Sequence, residues 1–230
     1  MRQSWWAAFL LAEDPAAFVR ANTALERPPL VPELELYLAS EILPIWQATE
    51  ADLSDMGLPP PYWAFAWAGG QALTRYLLDN PEVVAGKRVL DFASGSGLAA
   101  IAAARAGAAT VTASEIDPYA VAAIRLNADY NGVSIICIQE DVIGRHGDWD
   151  VVLAGDICYE KPLADRVMQW LRDLAASGIP VLLGDPGRNY LPKDGLEWVV
   201  RYAVKTTREL EDTDVRNAVV WRVLADTPSD

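Results

Sequence analysis

From residue 87 onward, short apolar runs alternate with segments whose apolar positions recur every three to four residues. Residues 87–92, 109–115, 133–139, 150–154 and 179–184 read as strands, and 98–106, 118–130 and 162–176 as the helices between them. Near-continuous apolar strands separated by helices predict a parallel sheet covered on both faces. The rhythm breaks at the end. Residues 197–207 and 215–224 are two strand-like runs joined by the acidic stretch 209–214, which predicts an antiparallel hairpin.

The first 60 residues are patterned differently. Asp14 before Pro15 is a helix start, an acid cap followed by proline at the first helical position, and the helix is expected to run to about Leu25. Residues 5–12 and 44–53 also read as helices. Leu34, Leu36 and Leu38 alternate with Glu33, Glu35 and Tyr37, a short half-buried strand. Pro59, Pro60 and Pro61 form a stiff spacer. An aromatic stretch follows, and Gly69 and Gly70 open a helix to about Leu78. The expected organisation is an N-terminal helix-and-strand extension, residues 1–58, before one α/β domain, residues 59–230.

Composition narrows the chemistry. With 230 residues, 52% of them apolar, the chain is long enough for one substantial core. A net charge of −13 argues against a nucleic-acid partner and suits a basic one. The single histidine, His146, excludes a multi-histidine metal site, and the two cysteines, Cys137 and Cys158, are too few for a zinc cluster. No metal is expected. The longest uncharged apolar runs fall far short of the roughly 20 residues that span a bilayer. No membrane segment and a reducing, cytoplasmic location are the expectation.

The strongest local signal is the stretch 89–97, Val-Leu-Asp-Phe-Ala-Ser-Gly-Ser-Gly. A strand ends in an acid, Asp91, and a loop of small residues, Ala93, Gly95, Ser96 and Gly97, opens a helix. Such a loop lets a ligand approach the backbone beyond the carboxyl end of a parallel strand. Glu115 ends the next strand, where a carboxylate accepts hydrogen bonds from ribose hydroxyls. Two ligands compete. Gly95 to Ala100 fits the G-x-G-x-x-A dinucleotide fingerprint of an NAD(P)-dependent oxidoreductase. Asp91 favours S-adenosylmethionine, whose ammonium an acid at the strand end could hold directly or through water. Asp141 after the next strand is a candidate for the adenine amino group, with Val142 packing on the ring.

After the fourth strand come Gly155, Asp156, Ile157, Cys158 and Tyr159. That position lies, like the loop after Asp91, beyond the carboxyl end of a parallel strand. Asp156 could orient a substrate nitrogen and Tyr159 line its channel. Trp67 could pack over the cofactor. The stretch 184–188, Gly-Asp-Pro-Gly-Arg, reads first as a turn and second as part of the pocket rim.

Together these residues resemble a family. The segment from Tyr62 to Trp67 with Gly69 to Leu73, then 89–97, Glu115 to Pro118, Asp156 to Tyr159 and Gly184 to Arg188, is similar to the seven-β-strand protein lysine methyltransferases. Within them it most resembles the electron-transfer flavoprotein β-subunit lysine methyltransferases, over residues 59–225. Ribosomal-protein methyltransferases of the L11 type are more distant. The resemblance implies a class I, Rossmann-like methyltransferase fold, with a mostly parallel seven-stranded sheet and a C-terminal antiparallel hairpin. It implies S-adenosyl-L-methionine as cofactor, contacted by Trp67, Gly95, Ser96, Gly97, Glu115, the region of Asp141, and Gly155. It places Asp156 and Tyr159 in the catalytic motif. The implied partner is the flavoprotein β-subunit, with a ribosomal protein as the alternative. One departure stands out. Ala93 replaces the loop's first glycine, which the loop accommodates readily only if φ is negative there.

Overall fold

The computed structural model describes residues 14–39 and 60–226. The helices expected at 5–12 and 44–53 lie outside them. Helix α1, Pro15–Asn22, begins as its sequence requires. The Asp14 side chain accepts from the Ala16 amide at 2.9 Å, and Pro15 fills the first turn. The helix does not reach Leu25. Strand β1, Ala24–Glu26, pairs antiparallel with β2, Leu36–Leu38. The Thr23 hydroxyl turns back to the Val19 carbonyl at 2.6 Å and ends the helix there.

The chain continues through α2 (Ala68–Asp79), β3 (Arg88–Phe92), α3 (Leu98–Arg105), β4 (Thr110–Glu115), α4 (Pro118–Tyr130), β5 (Ile136–Gln139), β6 (Val151–Gly155), α5 (Lys161–Ala176), β7 (Val181–Asp185), β8 (Leu196–Lys205), α6 (Arg208–Glu211) and β9 (Val215–Val223). The sheet order is β5-β4-β3-β6-β7-β9-β8. The first five strands are parallel, and β9 is antiparallel to both its neighbours. This is the expected seven-stranded sheet with its terminal hairpin.

Side chains alternate between two cores. Val89, Val151, Leu153 and Leu182 face α2 and the alanine-rich α3, while Leu90, Phe92, Val152 and Leu183 face α5. Helix α5 presents Val167, Met168, Trp170, Leu171 and Leu174 to that second core, one apolar stripe at helical spacing. Burying each such large side chain stabilises the fold by roughly 1.5–3 kcal/mol.

Two details place the site. Strand β3 pairs with β4 on one side and β6 on the other, so the chain order reverses beside it. Open α/β sheets bind ligands in the crevice beyond the carboxyl ends at such a switch point. The fully buried Asn127 of α4 also links distant segments. Its side-chain amide donates to the Ser96 carbonyl at 2.8 Å and accepts from the Tyr37 amide at 2.7 Å, tying the N-terminal strand to the glycine loop.

Candidate active site

A cavity of about 510 Å³ opens at the switch point. Its wall takes Ala93 and Gly95 from the loop after β3, Glu115, Ile116 and Asp117 after β4, and Glu140, Asp141 and Ile143 after β5. Gly155, Asp156 and Tyr159 follow β6, Arg188 follows β7, and Tyr62, Trp63 and Trp67 precede α2.

Glu115 anchors one end. Its Oε1 accepts from the Gly95 amide at 2.9 Å and its Oε2 from the Ile116 amide at 3.0 Å. Burial raises its pKa, while those amides pull it down. Glu115 lines the cavity, where a carboxylate can accept from the hydroxyls of a ribose diol. Beside it Ile116 is 70% exposed, an apolar face held out of the core. Asp117 caps α4, accepting from the Tyr119 amide at 2.8 Å. A carboxylate for hydroxyls next to an exposed aliphatic face fits a nucleoside.

Several expected contacts are placed elsewhere. Asp91 does not face the cavity. It is 2% exposed, accepts from the Ser94 hydroxyl, and accepts from the Ala100 amide at 3.0 Å, so it joins the loop to the start of α3. Burial pushes its carboxyl up to about 7. Ser96 and Gly97 also lie behind the wall, Ser96 held through its carbonyl by Asn127 and Gly97 against Ile124. Val142 is turned into the α5 core, and its neighbour Ile143 lines the cavity in its place. Asp141 reaches the cavity, with Oδ1 accepting from the Ile143 amide at 2.9 Å and Oδ2 paired to Arg166 at 3.2 Å. Ala93 lies at φ +50, not at negative φ. The loop keeps the left-handed turn despite the alanine, at a cost of about 1–2 kcal/mol.

Asp156 anchors the other end, also in the left-handed region at φ +54. Three elements grip it. Its amide donates to the Gly184 carbonyl at 2.9 Å. Its Oδ2 accepts from the Gly70 amide at 2.8 Å, one of the unsatisfied N–H groups at the start of α2. Its Oδ1 accepts from Arg188 Nη2 at 2.8 Å and Nε at 3.1 Å. Burial pushes its carboxyl up to about 7, against the pull of Arg188. Gly69 and Gly184 explain the close approach of α2. A Cβ on Gly69 would collide with the Gly184 carbonyl and lie 2.6 Å from Asp156 Oδ2.

Aromatic side chains roof this end. The Tyr62 and Tyr159 rings lie 5.1 Å apart, the Tyr62 and Trp67 rings 6.2 Å, and Trp67 Nε1 donates to the Tyr62 carbonyl at 2.8 Å. Burial pushes the Tyr159 phenol up to about 12, so it stays neutral at ordinary pH. Burial also pushes the Cys158 thiol up to about 12, which removes it as a nucleophile. Tyr62 and Ile116 join the site although the sequence named neither as a contact, and Arg188 lines it, as the pocket-rim reading of 184–188 expects. The signal for Ile116 was an isoleucine between two acids directly after a strand.

Comparison with known proteins places this geometry. The profile of the ribosomal protein L11 methyltransferase family, PrmA, matches residues 71–179. The electron transfer flavoprotein beta subunit lysine methyltransferase of Xenopus laevis is 39% identical over 217 residues, covering 91% of this chain and 87% of its own. Its namesake from Homo sapiens is 39% identical over 226 residues, covering 94% and 84%. Among solved structures, the magnesium protoporphyrin IX methyltransferase of Synechocystis PCC 6803 with bound SAM matches with TM-score 0.50 at 18% identity, covering 68% of this chain and 78% of that one, a likeness of fold alone. At this identity over nearly the whole length, the chain belongs to the family of electron transfer flavoprotein beta subunit lysine methyltransferases.

Proposed function

We propose that the protein transfers a methyl group from S-adenosyl-L-methionine to a lysine side chain of the electron-transfer flavoprotein β-subunit. The observation that carries this reading is one cavity with two chemical ends. Glu115 and Ile116 suit a nucleoside, and Asp156 beneath Tyr62, Trp67 and Tyr159 suits a cationic side chain. The relatives' names support the substrate.

Bound S-adenosyl-L-methionine supplies an electrophilic methyl group on a sulfonium centre. Glu115, Ile116, Ile143, Asp141 and the backbone at Gly95 and Gly155 would hold it. Asp156 accepts an N–H of the incoming amine and fixes its direction, while the aromatic roof packs along the aliphatic stem and excludes water. With an ordinary lysine pKa near 10.4, roughly one amine in two thousand is neutral at pH 7. Desolvation under the roof raises that fraction. Asp156 works as an orienting acceptor, the amine proton leaves to water, and alignment supplies much of the rate.

The test separates binding from chemistry. Asp156→Ala is expected to bind S-adenosylhomocysteine within about threefold of wild type by calorimetry and to lose methyl transfer at least 100-fold. Unchanged transfer would remove Asp156 from the mechanism. A second substrate reading, a ribosomal-protein lysine, has the PrmA match over residues 71–179 in its favour. It makes the same demands on Asp156 and differs only in the target that acquires label.

A further inference from the structure

Arg188 is committed to protein partners. Its Nε and Nη2 donate to Asp156 Oδ1. Its Nη1 and Nη2 donate to Glu211 at 2.8 and 2.7 Å. Those four bonds use most of a guanidinium's five N–H groups, which leaves little of it to bind a ligand. The Trp67 ring, 5.4 Å from Cζ, covers one face.

Glu211 comes from the far end of the chain, on the short turn α6 between β8 and β9. Its side chain is 1% exposed, and Arg216 reaches it at 3.4 Å. A carboxylate buried this completely needs ion partners, and Arg188 and Arg216 serve as them. The turn after β7 aims Arg188. Asp185 Oδ1 accepts from the Gly187 and Arg188 amides at 2.6 and 2.7 Å, and Gly187 sits at φ +86.

We infer that Arg188 and Glu211 are a positioning pair, contributed by the β7 turn and the terminal hairpin, that opposes protonation of the Asp156 carboxylate and holds it oriented toward the methyl-accepting amine. The inference rests on the methyl-transfer reading of the Asp156 site. Glu211 grips one side of the guanidinium and so fixes the side offered to Asp156, a two-pronged geometry that lysine cannot reproduce. The charges facing Asp156 are Arg188 and Asp185 from the β7 turn and Glu211 from α6, with Arg216 of β9 behind Glu211. The Gly70 amide faces it from α2, and Cys158 beside it stays neutral. Arg188 opposes two acids, so its loss leaves Asp156 buried among like charges.

The test follows the Asp156 carboxyl by carbon-13 NMR across pH, alongside methyl-transfer kinetics, in wild type, Arg188→Gln, Arg188→Lys and Glu211→Gln. Arg188→Gln is expected to move the Asp156 midpoint and the acid limb of kcat upward by at least one pH unit, with kcat at pH 7 down 10- to 100-fold. Arg188→Lys restores the acid limb toward wild type but leaves the plateau kcat at least fivefold low. Glu211→Gln moves the midpoint down and lowers the plateau several-fold, with KM for the protein substrate changed less than kcat. Opposite midpoint shifts are not expected of a merely structural pair. Folded variants that keep the wild-type midpoint and kcat overturn the inference. Midpoints that shift as stated in a wild type that transfers no methyl group would leave the pair standing and remove the methyl-transfer reading.

Discussion

The Gly70 amide donates to Asp156 Oδ2 at 2.8 Å, which joins the start of α2 to the acid after β6. Negative charge is favoured at a helix N-terminus, so α2 stabilises the ionised carboxylate as well as placing it. The contact exists because two glycines let helix and sheet approach. Gly69→Ala would drive a methyl into the Gly184 carbonyl and the Asp156 carboxylate. The expected cost is about 1–3 kcal/mol of stability, with methyl transfer reduced more than S-adenosylhomocysteine binding. Urea unfolding and calorimetry check both.

Ala93 tests the loop. At φ +50 its methyl is strained, and glycine relieves that. Ala93→Gly is expected to raise stability by about 0.5–1 kcal/mol after allowance for the greater freedom of the unfolded chain. A thermal melt reads the sign. A lower Tm would mean that the alanine methyl makes contacts that outweigh the strain.

Asn127 tests the link between the N-terminal strand and the cofactor loop. Asn127→Ala leaves the Tyr37 amide and the Ser96 carbonyl without their bonds inside the protein. Each orphaned group costs about 1–3 kcal/mol. Hydrogen exchange at Tyr37 is expected to accelerate together with exchange in the glycine loop. Acceleration at Tyr37 alone would show that the two segments are not coupled through this side chain.

Asp91 gives stability an unusual pH dependence. Its folded pKa, pushed up to about 7 by burial, lies above the ordinary value of 3.8. Between about pH 4 and 7 the folded state therefore holds a proton that the unfolded chain has lost. Stability from this group is fully present below that window and falls as pH rises through it. Asp91→Asn cannot ionise, so it is expected to gain on wild type in urea unfolding between pH 5 and pH 8. A difference that stays constant with pH contradicts the buried-acid account.

Much of this was legible in the sequence. Apolar strands, the helices between them and the broken rhythm at residues 197–207 and 215–224 led to the sheet and its hairpin. Local rules carry that information. Which way a side chain turns is settled by packing, and there the reading fell short. Asp91 marked the loop correctly, but its side chain bonds back to Ser94 and to the Ala100 amide at the start of α3, a pairing the sequence did not show. Val142 and Ile143 are adjacent apolar residues, and only the packing against α5 decides which one meets the cavity. The acidic stretch 209–214 read as a connector. The buried role of Glu211 depends on Arg188, 23 residues earlier, and no local pattern encodes that pairing.

The most direct test of the central claim uses the purified protein, methyl-labelled S-adenosyl-L-methionine and a cell extract from its own source, with labelled bands identified by mass spectrometry. The account requires methyl groups on lysines of the electron-transfer flavoprotein β-subunit, and their absence with Asp156→Ala. Label on a ribosomal protein alone would replace the substrate. No label, with no S-adenosylhomocysteine binding by calorimetry, would contradict the account.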